Sequence, residues 1–364
     1  MDSENTLILV FAAPEFIENP VAINELASQY PKSKMIGCSS AGEICGSAVH
    51  DKSLSVAIVR FDKTTIEIVK KPIERAEDSY KAGEEISKKF NKEDLRGIFV
   101  LSEGLKVNGS ELAKGLNTLA KKQVVITGGL AGDGYSFKNT WAIFNGEIIT
   151  DHIVAVAFYG DSIAIGHASK GGWDIFGVER RITKSKNNIL YELDQKPALK
   201  LYKEYLGERA AELPAAGLLY PLAIRKNAED KQQLVRTILA VDEATQSLTF
   251  AGDVPEGYLA QLMRANFDRL ITSSSEAGEL ATEIMLAKHQ KAVNEPVLSV
   301  AISCVGRRLV LGERVEEETE AILGTLPKGT QQVGFYSYGE LSPYTVGTCD
   351  LHNQTMTITT FYEQ

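Results

Sequence analysis

Short apolar runs alternate with segments of helical spacing along most of this chain. The first such unit reads LILVFAA (Leu7 to Ala13), then a helical pattern from about Glu15 to Tyr30, then MIGCSSAGEI (Met35 to Ile44). Near the other end come VLSVAISCV (Val297 to Val305), a helical pattern from Gly312 to Leu323, and QVGFYSYGEL (Gln332 to Leu341). In that helical segment Val315, Thr319, Ile322 and Leu323 fall on one face. Apolar runs of this length bounded by turn residues predict buried strands, and 3.6-residue spacing predicts helices.

The two units match in detail, pairing Gly37 with Gly334, Ser40 with Ser337, Gly42 with Gly339 and Glu43 with Glu340. Pro31-Lys32 and Pro327-Lys328 stand before the second strand of each. A looser third copy runs from GIFVLSEG (Gly97 to Gly104) through a helix from about Ser110 to Lys121 to VVIT and GGLAGDG (Val124 to Gly134), with Asp133 in place of Glu. LTFAGDVPEG (Leu248 to Gly257) shares only the Gly-acidic turn. Self-similarity of this kind predicts an internal repeat.

Further strands are predicted at Ser55 to Phe61, Thr65 to Val69, Thr140 to Phe144, Ile153 to Gly160, Ile163 to Ser169, Val235 to Val241 and Thr355 to Phe361, and further helices at Ser79 to Phe90, Leu190 to Leu206 and Tyr258 to Lys291. Asn145-Gly146 and Gly160-Asp161 carry hairpin turn chemistry. The expected fold is α/β (mixed α+β): two packed domains whose mixed sheets are covered by helices, built from duplicated strand-helix-strand units. At 364 residues two domains are expected. Gly207, Pro214, Gly217 and Pro221 interrupt the periodicity, which places the division at 1–212 and 213–364. Leu213, Leu218, Leu219, Tyr220 and Leu222 would be bare in a free linker, so the halves should pack closely.

A net charge of -9, with basic pairs scattered among acidic neighbours, disfavours nucleic acid as a partner. The amino terminus starts acidic and turns into a single short apolar run, unlike a secretory signal, and no apolar run approaches the roughly 20 residues that cross a bilayer. No membrane and a cytoplasmic location are expected. Cys38, Cys45, Cys304 and Cys349 have neither redox nor zinc spacing and should be free thiols.

Each unit ends a strand in a glycine-bracketed loop with an acidic residue, and open α/β sheets bind ligands at such carboxyl ends. Cys38, Ser39, Ser40, Glu43, Gly129, Asp133, Tyr338 and Glu340 are the candidate ligand-binding residues, suited to a small polar ligand such as an amino acid. The alternative is that these glycines and carboxylates only make turns and caps. No dinucleotide fingerprint, P-loop, HExxH or GxSxG motif is present. Paired histidine ligands are lacking, but a lone axial haem ligand needs no spacing, and His167 and His352 are its candidates. Cys38, in a glycine-rich turn, is the candidate nucleophile of a cysteine-dependent hydrolase. Asn353, Gln354 and Thr355 are either ligand donors or a polar turn.

The strings GCSSAGEI, GGLAGD, GGWDIFG, LYELDQKPALKLYKEYLG, FAGDVPEG, SCVGRRLVLG and GFYSYGEL…CDLHNQTMTITT resemble FIST proteins, with the amino- and carboxy-terminal FIST domains in their usual order. The resemblance implies a non-catalytic sensory module that binds a small ligand such as an amino acid, needs no cofactor, and signals through a separate partner. It also implies an alternative: some relatives, of the NosP type, are haem proteins that sense nitric oxide and control a histidine kinase.

Overall fold

The computed structural model describes residues 1–118, 123–230, 233–288, 295–343 and 348–364. Three mixed sheets share one plan. In the first, strands Thr6–Ala12 and Lys34–Ser39 run parallel, joined by the helix Val21–Gln29. In the second, Leu95–Ser102 and Val125–Leu130 do the same around the helix Gly109–Leu116, and in the third Leu298–Cys304 and Gln331–Ser337 around Val315–Leu323. Beside the first strand of each pair lies an antiparallel strand: Leu54–Arg60, His152–Tyr159 and Met356–Glu363 respectively.

The other flank of each pair is filled by exchange. The short hairpin that follows Ser39 (Glu43–Cys45 and Ala48–His50) joins the third sheet. The hairpin after Ser337 (Gly339–Pro343 and Cys349–His352) joins the second. The hairpin after Leu130 (Ala142–Phe144 and Glu147–Ile149) joins the first, turning through Asn145-Gly146 with φ of 50° and 84°. The ring of exchanges is closed.

One glycine per pair permits this packing. Gly37, Gly128 and Gly334 stand opposite Val10, Val100 and Ala301. A Cβ on them would lie 2.2, 1.8 and 1.8 Å from the partner's carbonyl oxygen, distances no side chain tolerates. The sheets' inner faces form one core, in which Phe11 stacks on Phe335 at 4.8 Å and Phe99 and Phe361 meet edge-on. The outer faces are covered by helices, including Ser79–Lys89 and the long Phe267–Lys288.

A fourth, all-antiparallel sheet spans Asp174 to Arg264 and has its own core around Leu190, Leu199, Tyr202, Ile224, Leu248 and Phe250. The segment read as a helix from Leu190 to Leu206 is here a strand, Ile189–Leu193, and only then a helix, Ala198–Leu206; likewise Leu259–Arg264 is a strand before the long helix. Strand–turn–helix runs mimic one long apolar pattern when the turn is short. Strands His152–Tyr159 and Ile163–Lys170 flank Gly160-Asp161 but enter different sheets, so that turn closes no hairpin. The Glu212/Leu213 division falls inside this fourth unit, between the helix Ala198–Leu206 and strand Leu222–Arg225. Helix predicted beyond Thr118 in the third copy, and His289 to Lys291 in the last, lie outside the described residues.

Candidate functional site: a cleft between the three-sheet body and the fourth unit

The three glycine-rich turns do converge. Ala41 N–H donates to the Tyr336 carbonyl and Tyr336 N–H to that of Gly42, both at 2.9 Å, while Gly132 N–H donates to Ser39 at 3.1 Å. This contact is solid: a Cβ on Gly132 would sit 3.0 Å from that of Ala41.

The candidate residues take different places around the junction. Cys38 is fully buried in the apolar core, and burial pushes its thiol well up, the reverse of an activated nucleophile. Ser39 Oγ accepts from Trp141 N–H (3.2 Å) and Ser40 Oγ from Gly42 N–H (2.8 Å). Gly129 lies on the second sheet opposite Glu340, and Glu43 lies opposite Phe335 on the third.

The two carboxylates are both buried acids with raised pKa. Desolvation lifts Glu43 to about 7, against hydrogen bonds from Ser53 N–H (3.1 Å) and Oγ (2.9 Å). Desolvation lifts Glu340 to about 8, against donors Ser337 Oγ (2.6 Å) and Thr355 Oγ1 (2.9 Å). The matching register position of the first sheet is Ala142, opposite Cys38. Asp133 instead occupies the loop before that strand. Burial works against its charge, but the N–H groups of Asn139, Lys138 and Phe137 and the Tyr338 hydroxyl hold it below the usual carboxylate range. Tyr338 stacks on Phe137 at 4.5 Å.

Beside this junction opens a cleft of about 210 Å³, and Tyr338 is the member of the candidate set that lines it. One wall comes from the ends of parallel strands: Gly104, Leu130 and Cys304 to Gly306. The other comes from the fourth unit: Leu218, Thr237, Leu239 and Phe250 to Gly252. Among its described lining residues none is Asp, Glu, Lys or Arg. Hydrogen bonds link the two walls. Asn108 caps the helix Gly109–Leu116 and donates to Asp253 (2.9 Å), and fully buried Arg236 donates to the carbonyls of Asp253 (2.8 Å) and Leu351 (3.1 Å). A second hollow of about 230 Å³ is charged, with Glu103, Lys106, Lys138 and Asp151 on its rim. There Lys106 pairs with Asp151 at 2.8 Å, and Glu103 accepts from Leu105 N–H (3.0 Å) and Thr140 Oγ1 (3.2 Å).

Neither haem candidate faces the cleft. His167 is buried on strand Ile163–Lys170 opposite Thr359. His352 is buried too, its Nε2 3.0 Å from the Ser342 carbonyl, and burial lowers its pKa. A haem in this cleft would find no axial histidine among the described residues, so neither His167 nor His352 fits that role there.

Sequence reading passed over Thr237 and the Phe250 to Gly252 wall. The signal available for the wall was the Gly-acidic string LTFAGDVPEG, set aside there as a weak echo of the repeat.

Residues 6–196 match the FIST N domain and residues 198–343 the FIST C domain. The chain belongs to the FIST family, whose domains are linked to signal transduction and sensing and form a non-catalytic class. It is also similar to an uncharacterized protein of Methanocaldococcus jannaschii, 25% identical over 319 residues, which cover 80% of this chain and 58% of that protein. The chain thus spans little more than half of that relative's length. No helix among the described residues is long and apolar enough to cross a membrane.

Proposed function

We propose that this protein is a sensor whose small ligand lies in the cleft between the three-sheet body and the fourth unit, and whose occupancy is read by a separate signalling partner such as a histidine kinase. The observation that carries this is the cleft's construction: one wall comes from the three-sheet body and the other from the fourth unit, so a ligand touching both favours the arrangement in which they close on it. The position agrees with the rule that α/β sheets bind ligands beyond the carboxyl ends of their strands. The lining offers no charged side chain among the described residues, so the ligand is met there by apolar surface and neutral polar groups.

Thermal-shift screening of metabolites against the wild type and Ala251→Trp tests it. A ligand at a hundred times its dissociation constant adds about 2.7 kcal/mol of stability. Ala251 lines the cleft, and an indole there fills it. Compounds that stabilise the wild type and not Ala251→Trp support the reading. Compounds that stabilise both alike refute it.

A further inference from the structure

Large apolar side chains left exposed by folding carry meaning when they gather in one place. Three meet at the cleft: Leu105 is 39% exposed, Leu239 43% and Phe137 44%, and all three line it. They come from separate stretches of chain. Leu105 follows strand Leu95–Ser102, Phe137 lies in the loop after Leu130, and Leu239 stands on strand Ile238–Asp242 of the fourth unit.

Phe137 is held there against its own backbone preference. Its φ of 50° is left-handed, a region in which the Cβ crowds the following carbonyl and a bulky residue is an outlier. Asp133 imposes it. One oxygen of that buried carboxylate accepts from Phe137 N–H, and the other from Lys138 N–H and Asn139 N–H, all at 2.8 Å. The Tyr338 hydroxyl donates to the same carboxylate, and the Tyr338 ring stacks on Phe137 with centres 4.5 Å apart and planes 12° from parallel. Gly104 on the cleft wall leaves the tyrosine its place: a Cβ there would stand 3.0 Å from ring atom Cδ2. The loop thus keeps an aromatic ring at the cleft in a conformation the chain would not take unaided, and such outliers concentrate where ligands are held. Tyr338 covers one face of that ring, and the exposure that remains is free to meet something else.

We infer that the cleft takes a flat, uncharged aromatic molecule of one or two fused rings, packed against Phe137 and Tyr338 and closed in by Leu105 and Leu239. This rests on the cleft being the sensory site and adds the chemical class of its ligand. Size agrees, since the cleft holds about 210 Å³ and a cavity of about 150 Å³ accommodates benzene. Charge agrees as well: an ion would lose its water and meet no counter-charge among the described lining residues. Flatness follows from the rings, because aromatic pairs attract one another beyond the area they bury.

The test is calorimetric titration of the full chain with indole, benzyl alcohol, cyclohexylmethanol and benzylammonium. Benzyl alcohol and cyclohexylmethanol share one carbon skeleton, and the saturated compound is the more hydrophobic, so apolar burial alone would favour it. Benzyl alcohol should instead bind about three- to tenfold more tightly, with indole tighter than either alcohol and benzylammonium at least about tenfold weaker than benzyl alcohol. Phe137→Leu keeps an apolar side chain at an exposed position; it should weaken indole about three- to tenfold and change cyclohexylmethanol by less than about twofold. Phe137→Tyr keeps a ring and should bind indole as the wild type does. Cyclohexylmethanol binding as tightly as benzyl alcohol, indole binding indifferent to Phe137→Leu, or no heat from indole at millimolar concentration each overturns the inference. The comparison of the two alcohols needs no variant, so it decides the matter even where a substitution perturbs the loop. Ala251→Trp separates the two readings. Binding that is blind to flatness but lost in Ala251→Trp sinks the ligand class alone, whereas binding that survives Ala251→Trp lies elsewhere and sinks the sensory cleft as well.

Discussion

Glu340 and Gln354 are both closed off from solvent, and both come from the polar region that joins the second and third sheets. Glu340 is met on both carboxylate oxygens, by Ser337 and by Thr355. Gln354 has only its nitrogen satisfied, and its neighbour Asn353 has neither end satisfied among the described residues. The junction of turns is thus a closed polar network that fixes how three sheets meet, and the Asn353-Gln354 pair next to it is an open one. Burial alone does not say whether a polar group is satisfied; the assembled neighbourhood does.

If that contrast holds, changes at the junction damage the fold and changes at the cleft wall do not. The largest effect is expected for Gly334→Ala, because its Cβ would fall 1.8 Å from the Ala301 carbonyl oxygen. The strands must separate, at a cost of about 3 kcal/mol or more. Urea unfolding that gives a near-wild-type midpoint would break the comparison at its firmest point.

An effect of comparable size is expected at the buried ion pair behind the third sheet. Arg307 and Glu318 are both at 0% side-chain exposure and 2.7 Å apart, and Arg307 also donates to Leu270 and Ser274 while Tyr336 and Ser303 donate to Glu318. Arg307→Met leaves the carboxylate buried without its counter-charge and should cost about 3–5 kcal/mol. Chemical denaturation measures it directly.

The pH dependence sharpens the contrast further. Glu43 and Glu340 titrate near 7 and 8 in the folded protein, above the ordinary value of 4.5 to which unfolding returns them. The folded state therefore holds more protons between those values, so their contribution to stability is fully present below about pH 4.5 and declines as pH rises to about 8. Glu340→Gln keeps an acceptor for Ser337 and Thr355 and should flatten the fall between pH 6 and 8, with little loss at pH 5. Melting temperatures across that range that fall equally in both proteins would show that Glu340 does not carry the slope.

The smallest effect is expected at the cleft. Thr237→Val removes a hydroxyl that bonds to nothing described and should change stability by less than about 0.5 kcal/mol, or raise it. A loss above about 1 kcal/mol in urea unfolding would mean that the hydroxyl is part of the scaffold after all.

Much of the fold is legible in the chain. The paired strands of the first, second and third sheets lie where apolar runs end in glycine turns, and the matched Gly37 and Gly334 stand at the same register because each meets a neighbouring carbonyl. Less of the site is legible. Glu43, Glu340 and Cys38 carry chemistry-bearing side chains in conspicuous glycine-rich stretches, yet the fold places them on strands away from the cleft, whereas Leu239, Thr237 and Ala251 look like ordinary strand and turn residues. Asn353 and Gln354 were visible as a polar pair between strands, but nothing local says whether such a pair has partners.

Local pattern determined the strands, the crossover helices, the glycines at the sheet crossings and the family, because these depend on neighbours a few residues away. Tertiary structure decided that each hairpin leaves its own unit for another's sheet, that the fourth unit stands against the carboxyl ends of two strand pairs, and which buried polar atoms were left without partners. Those outcomes depend on contacts between residues as far apart as Leu218 and Gln354, and hydrogen-bond satisfaction is a property of the assembled interior, not of any stretch of chain.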